Sequence, residues 1–164
     1  MTNIKFIIFF LISAQVSAGQ LDQHSSVKEM QAQVSESLAA YADREDECMK
    51  SKKELSAKAL REIGLSNSEL KEALQYHYLR NLIECSKDQA DKLIVDLQVL
   101  SLLAPQKDKE AAAASELILS DRVKLLKLKQ NYFKISKIQR DLIESLSGVN
   151  DPIDLIATAK ALGI

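Results

Sequence analysis

The amino-acid sequence predicts an all-α fold: an elongated antiparallel helical hairpin, a third long helix and a short C-terminal helix. Trp is absent and the chain has only four Gly and two Pro, so few residues interrupt helices. Apolar residues recur at spacings of three and four through three long segments, with start and stop signals at the segment ends. We therefore expect an up-down-up three-helix bundle of coiled-coil character, forming a single domain over residues 26–164.

The first 18 residues have the pattern of a secretory signal peptide. Lys5 precedes an apolar run from Phe6 to Ile12, and the small residues Ser17 and Ala18 follow. This order predicts export, with cleavage after Ala18. A transmembrane anchor is the alternative, but the run is shorter than the roughly 20 apolar residues that span a bilayer. We expect the mature protein in the periplasm or the extracellular space.

Helix 1 is predicted to begin at Ser26, which forms a capping box with Glu29. Residues 19–25, including His24, are then expected to be a flexible segment. Gly64 is suited to the left-handed residue that follows a helix end, so helix 1 should continue to that point. Its buried stripe is expected to contain Val27, Val34, Leu38, Tyr41, Cys48, Leu55, Ala59 and Ile63.

Helix 2 is predicted to begin at Ser66, which forms a second capping box with Glu69. The short turn before it favours antiparallel packing on helix 1. Pro105 either ends helix 2 or opens the next helix in its first turn. The predicted heptad seam consists of Leu79, Ile83, Ser86, Ala90, Leu93, Leu97, Leu100 and Ala104.

Helix 3 is predicted over residues 106–147, where Gly and Pro are absent, and Gly148 should close it. The final short helix should have Asp151 as its cap and Pro152 in its first turn. The apolar seam of helix 3 is expected at Ala111, Ala114, Ile118, Leu125, Leu128, Tyr132, Ile135, Leu142 and Leu146, and the last helix should cover one end of the bundle with Ile153, Ile156, Ala159 and Leu162.

Cys48 and Cys85 are the only cysteines of the chain. A catalytic thiol, a metal ligand, a core residue and half of a disulfide are all conceivable for Cys48, which lies among charged residues. Export and an even cysteine count favour a disulfide. Facing residues of a hairpin that turns at residues 65–67 have numbers that add to about 133, as these two do. We expect a Cys48–Cys85 disulfide, which the chain-entropy model values at about 4 kcal/mol.

The same register predicts apolar pairs between helices 1 and 2. It sets Leu55 opposite Tyr78, Leu38 opposite Val95 and Val34 opposite Val99. We expect these pairs to pack together in the core.

A basic segment runs over residues 122–140 without an acidic residue. It could bind an anionic membrane or an acidic partner as one amphipathic helix. The alternative is a solvated face that pairs with Asp43, Glu45, Asp46 and Glu47. The seven candidate binding residues are Arg122, Lys124, Lys127, Lys129, Lys134, Lys137 and Arg140.

Metal, cofactor and nucleic-acid functions are not expected. His77, Asn81 and Glu84 share one helical face, but one imidazole and one carboxylate do not complete a zinc site. The acidic stretch of helix 1 lacks the glycine-containing loop that surrounds calcium. No catalytic or nucleotide-binding motif occurs. The near-neutral charge is unlike that of nucleic-acid binders.

The expected function is therefore binding, without catalysis. An exported protein that binds another envelope or secreted protein through a helical face fits best, as inhibitors, immunity proteins, adaptors and chaperones do. A membrane-surface or anionic-polymer binder that uses residues 122–140 is the alternative. A helical-bundle enzyme or metal protein is a third class, and homo-oligomerisation is also open.

Overall fold

The computed structural model describes residues 21–105 and 108–164. Within these ranges every regular element is an α-helix, which confirms the predicted all-α helical bundle. The predicted signal peptide lies outside the described residues. The helices are α1 (Leu21–Lys50), α2 (Ala57–Glu62), α3 (Asn67–Cys85), α4 (Lys87–Leu103), α5 (Asp108–Tyr132), α6 (Lys137–Glu144) and α7 (Leu155–Leu162).

The chain divides into two compact units. Unit 1 takes in the described residues up to Ala42 together with Asp88–Leu119, and unit 2 takes in Asp43–Lys87 and Ser120–Ile164. Each unit has its own hydrophobic core. The single domain predicted over residues 26–164 stays a prediction.

The helix start predicted at Ser26 is wrong, because Leu21–Ser25 are already helical. The side chain of Glu29 accepts a hydrogen bond from the Ser25 hydroxyl at 3.3 Å. Glu29 thus pairs one turn back along α1, as residues inside a helix do. The segment predicted to be flexible, residues 19–25, overlaps the described part of α1 at its last five positions.

The core of unit 1 is built from helical rows that face one another. The heptad seam predicted for α4 is confirmed at Ala90, Leu93, Leu97 and Leu100. Val95 and Val99 are exposed instead, so the predicted core pairs Leu38–Val95 and Val34–Val99 are wrong. Residues two positions from a buried helical row point away from the core. The core residues are Met30, Val34, Tyr41, Ala90, Leu93, Leu97, Leu100, Ala104 and Ala111.

A buried carboxylate joins α1 to α4 within unit 1. Asp96 accepts hydrogen bonds from Gln33 Nε2 at 2.8 Å and from Ser37 Oγ at 2.5 Å, and Lys92 Nζ lies 3.2 Å away. Burial acts to raise the pKa of Asp96, but the hydrogen bonds from Ser37 and Lys92, the Lys92 charge and the Gln33 hydrogen bond outweigh it and hold the pKa below its usual value. The residue numbers of Ser37 and Asp96 add to 133, which is the sum that the predicted hairpin register requires.

Helix 1 ends at Lys50 and does not continue to Gly64 as predicted. Residues 51–56 contain no helix. Lys53 N donates to Pro152 O and Asp154 N donates to Lys53 O, both at 2.8 Å, and Leu55 N donates to the Thr158 hydroxyl at 3.1 Å. The interruption is stable because backbone groups that leave the helix find partners near the C-terminus.

The turn between α2 and α3 follows the predicted signals. Gly64 has a positive φ of 74°, a conformation that residues with a Cβ rarely adopt. Ser66 and Glu69 form the predicted capping box. Predicted helix 2 is nevertheless divided at Ser86, whose φ of −107° and ψ of 10° separate α3 from α4. It ends at Leu103, shortly before Pro105.

Predicted helix 3 is also divided. α5 ends at Tyr132, and Ser136 caps α6 by accepting a hydrogen bond from Gln139 N. Residues 133–136 are not α-helical, so α6 turns other positions toward the core than an uninterrupted helix would. Ile143 is therefore buried, whereas Leu142, predicted to lie in the core, is 46% exposed. Gly148 has a φ of 84° and lies in the turn beyond α6.

The last helix begins later than predicted. Asp154, and not Asp151, is the N-cap of α7, accepting from Ala157 N at 2.9 Å. Asp151 and Pro152 belong to the segment that pairs with Lys53. α7 packs against α2 and α3. Ile153 and Leu162 are buried as predicted, while Ile156 is 82% exposed.

Asn81 connects α3 to the segment that follows α6. Its Nδ2 donates to Val149 O at 2.7 Å and to Asp151 O at 2.6 Å, while its Oδ1 accepts from Arg80 Nε. The surrounding core contains Leu55, Leu60, Ile63, Leu70, Ala73, Leu74, Tyr76, Tyr132, Ile135, Ile143, Val149, Ile153 and Leu162. The amide thus satisfies two carbonyls beside an apolar core.

Asn81→Ala should lower the free energy of unfolding by about 2–4 kcal/mol. The substitution leaves two carbonyl acceptors without their donor, and each buried unsatisfied group costs about 1–3 kcal/mol. Urea unfolding followed by circular dichroism would measure the change. Gln75→Ala removes an exposed amide from the same helix and should have little effect. Equal stabilities of the two variants would contradict the prediction.

Candidate functional site

The predicted disulfide is present. Cys48 and Cys85 are bonded, with their Cα atoms 6.2 Å apart, and Cys48 is almost fully buried. Arg44 Nε donates to Cys85 O at 2.9 Å. The carbonyl of the last residue of α3 therefore has a hydrogen-bond donor from α1 beside the disulfide. The bonded sulfurs are not free to act as a nucleophile or as thiolate ligands.

The charged neighbours of Cys48 follow from its position on α1. Arg44 and Glu47 form an ion pair at 2.8 Å, and Glu47 is exposed. Cys48 itself points inward. The polar sequence around the cysteine is therefore the solvated side of a helix.

Replacing both cysteines with serine should lower the free energy of unfolding by about 2–4 kcal/mol, because the unfolded chain regains the freedom of a long loop. Guanidinium unfolding with and without reductant would measure this change. Reductant should destabilise the wild type and leave the double variant unaffected. Indifference of the wild type to reductant would contradict the expectation.

The basic segment at residues 122–140 does not form one helix. Arg122, Lys124, Lys127 and Lys129 lie on α5, Lys134 lies in the turn, and Lys137 and Arg140 lie on α6. The prediction of a continuous basic helix is therefore wrong. The break occurs because Ser136 supplies a new helix cap within the segment.

Several of these cations have local partners. Lys124 Nζ lies 2.7 Å from Asp121, and Lys137 Nζ lies 2.5 Å from Asp141. Lys134 Nζ donates to Asn131 Oδ1 at 2.8 Å. These pairs lie on the surface, where such interactions contribute about 0–1 kcal/mol each and leave the positive charge exposed to solvent.

Two exposed apolar side chains lie among these cations. Phe133 is 55% exposed and Ile138 is 76% exposed. Arg140 Cζ lies 4.5 Å from the centre of the Phe133 ring and Lys129 Nζ lies 5.8 Å from it. Arg140 also donates to Phe133 O at 2.8 Å. We call the group Lys129, Phe133, Lys134, Lys137, Ile138 and Arg140 the α5–α6 corner.

Sequence reasoning identified the cations of this corner but not its apolar members. Phe133 and Ile138 are members of neither the predicted apolar seam of helix 3 nor the predicted basic face. A signal was present, since Ser136 and Gln139 have the spacing of a cap within helix 3. A helix restarted at that cap has Ile138 in its first turn, outside the predicted seam in either case.

A second exposed apolar group lies on α4 in unit 1. Val95, Val99 and Leu102 follow the spacing of one helical face, and all three are exposed, Leu102 by 80%. We call them the α4 outer row. Asp88, also exposed, lies on the same side of α4 near its start.

His77 is the most unusual titratable group of unit 2. Only 1% of the residue is exposed, and its ring makes edge contacts with Tyr76 and Tyr132. Nε2 lies 3.7 Å from Glu144 Oε1, which is beyond hydrogen-bonding distance, and neither ring nitrogen has a hydrogen-bond partner among the described residues.

The environment of His77 favours the neutral imidazole. Burial and the Arg80 charge lower its pKa to about 4, against an opposing effect of Glu144. Glu144 also accepts from the Tyr132 hydroxyl at 3.2 Å and pairs with Arg80. Burial and this carboxylate raise the pKa of Tyr132. The carboxylate is thus engaged by two other side chains.

Unit 2 should lose stability as the pH falls from about 6.5 to 4. The unfolded histidine takes up a proton near pH 6.5, whereas the folded one does so near pH 4, so protons favour the unfolded chain between these values. The expected loss is about 3 kcal/mol. The groups facing His77 are Arg80, Glu144, Tyr76 and Tyr132, and none of them supplies a hydrogen bond to the ring.

Urea unfolding at a series of pH values would measure this slope. His77→Phe keeps an aromatic ring and should flatten the dependence between pH 4 and 6.5. His24→Gln removes the other histidine of the chain and should retain it. An unchanged slope in His77→Phe would show that another group is responsible.

The structure offers no metal site at the candidates considered. Asn81 uses its amide on Val149 and Asp151 and is not available beside His77. Across residues 21–105 and 108–164, no group of three or more His, Cys, Asp or Glu side chains is placed to hold an ion. In the same ranges, no helix combines the length and the apolar character needed to cross a membrane.

Known proteins do not identify the site. No protein-family model matches the chain, and neither curated proteins nor solved structures include a significant match.

Proposed function

We propose that this protein is exported and acts by binding another protein through a helical face, without catalysis. The α4 outer row is the observation that carries the proposal. The partner is another protein of the envelope or the extracellular space. Inhibitors, immunity proteins, adaptors and chaperones all work in this way.

The α4 outer row has the spacing used in helix-to-groove recognition. Val95, Val99 and Leu102 occupy positions i, i+4 and i+7, which lie on one side of a helix. The opposite side of α4 already fills the core of unit 1 with Leu93 and Leu97. The fold of unit 1 therefore does not require the outer row, and a partner that buried Leu102, the most exposed member, would gain roughly 1.5–3 kcal/mol.

The polar surroundings indicate the chemistry of the partner surface. Asp88 is exposed at the start of α4, on the side where the outer row lies. A groove with apolar walls and a basic residue near this end would match both features. Complementary charge at such a rim mainly governs the rate and specificity of association.

Export is supported by two independent features. The N-terminal pattern is that of a signal peptide, and the Cys48–Cys85 bond is of a kind that persists in oxidising compartments.

Substitution of the outer row should abolish the interaction and leave the fold intact. Val95→Ser/Leu102→Ser removes two exposed apolar side chains, and we expect at least a tenfold loss of affinity, since roughly 1.4 kcal/mol corresponds to tenfold. Quantitative capture from an envelope extract should show a protein that the wild type retains and the double variant loses. A photocrosslinker at position 102 should label the same protein.

Ile156→Ser is the matched control, because it removes an exposed apolar side chain of unit 2. It should retain the captured protein. If the double variant and the control retain the same proteins, the outer row is not the binding face. If sedimentation shows a self-associated wild type that Val95→Ser/Leu102→Ser dissociates, the partner is a second copy, and the proposed heterologous partner is wrong.

A further inference from the structure

We propose that the α5–α6 corner is a second binding surface, which binds an anionic lipid surface peripherally. The corner belongs to unit 2, whereas the α4 outer row belongs to unit 1. The two proposals therefore depend on different residues.

The apolar members of the corner are available for insertion. Phe133 lies in the turn between α5 and α6, Ile138 lies in the first turn of α6, and both are mostly exposed. The core of unit 2 instead takes Tyr132 and Ile135 from the same stretch. Aromatic and branched side chains surrounded by cations are typical of segments that lie at the boundary between lipid headgroups and acyl chains.

The charge of the corner complements anionic headgroups. Lys129, Lys134, Lys137 and Arg140 contribute four positive charges, and Asp141, which pairs with Lys137, contributes one negative charge nearby. Basic residues close to an anionic membrane are attracted to it as a group, and the attraction falls off within a Debye length.

The arrangement favours a lipid surface over an acidic protein. The cations come from three successive pieces of chain: the end of α5, the turn and the start of α6. Lys129 and Arg140 both lie against the Phe133 ring, so the ring and the charges would meet the same surface together. A headgroup layer accepts cations in any direction, and lysine stems allow ammonium groups to stay among headgroups while apolar neighbours go deeper.

Vesicle co-sedimentation of the disulfide-bonded mature chain, which begins at Gly19 after the expected cleavage, tests the proposal. Vesicles of phosphatidylcholine with phosphatidylglycerol should sediment the protein, and vesicles of phosphatidylcholine alone should not. Rising salt should weaken binding. Lys134→Gln/Lys137→Gln should reduce the partition coefficient roughly 25-fold, about fivefold per charge. Ile138→Ser should reduce it about tenfold.

Matched controls separate these effects from general charge and hydrophobicity. Lys58→Gln removes an exposed lysine of α2, and Ile156→Ser removes an exposed isoleucine of α7; both should bind as the wild type does. Failure to bind anionic vesicles, or equal binding by corner and control variants, would overturn the proposal. So would binding of an acidic amphipathic peptide in place of vesicles, which would assign the corner to a protein partner.

The vesicle experiment contains no protein partner, so its result is independent of capture through the α4 outer row. The Val95→Ser/Leu102→Ser variant is measured only for capture of a protein partner, and the corner variants are measured only for binding to vesicles. Failure of one proposal is therefore distinguishable from failure of the other.

Discussion

The backbone hydrogen bonds of residues 51–56 are the constraint on which the rest of unit 2 depends. A chain that leaves a helix must find new partners for its amide and carbonyl groups. Lys53 finds them in Pro152 and Asp154, and Leu55 finds one in the buried Thr158 hydroxyl. Pairing residues near position 53 with residues near the C-terminus brings distant parts of the chain together. α7 then packs on α2 and α3, and α1 has to end at Lys50.

The polar groups of unit 2 follow from that pairing. With the segment after α6 held against residue 53, the carbonyls of Val149 and Asp151 face α3, and Asn81 supplies their donor. Arg80 and Tyr132 both engage Glu144, which leaves His77 beside a carboxylate that is already occupied. Buried polar networks stabilise most when every member is satisfied. The imidazole, which has no hydrogen-bond partner among the described residues, is the exception in this network, and its lowered pKa is the reason for the expected acid sensitivity of unit 2.

Features that depend on local spacing could be predicted from the sequence. The Ser66–Glu69 capping box, the conformation of Gly64 and the inward row of α4 each need only neighbouring residues. The Cys48–Cys85 bond agrees with the hairpin sum of about 133, but the helix that this sum assumed between Cys48 and Gly64 is interrupted at residues 51–56. The breaks at residues 51–56 and 133–136 could not be predicted in this way. The first depends on partners about 100 residues away in the chain, and the second shifted the helical phase so that Ile143 replaced Leu142 in the core. The cations of the α5–α6 corner were foreseen, and Ile138, which is exposed, was already outside the predicted seam.

The residues proposed for binding and the residues that hold the fold form separate sets. Leu102 and Ile138 lie outside both cores, so they contribute little apolar burial to folding. These side chains remain in contact with water in the folded chain, so their transfer to an apolar surface would be favourable. The two surfaces also differ in charge, since both Asp88 and Lys92 border the α4 outer row, whereas the α5–α6 corner is cationic. A single partner surface complementary to one of them would be mismatched to the other. The two proposed surfaces therefore use separate residues, and neither set belongs to a hydrophobic core.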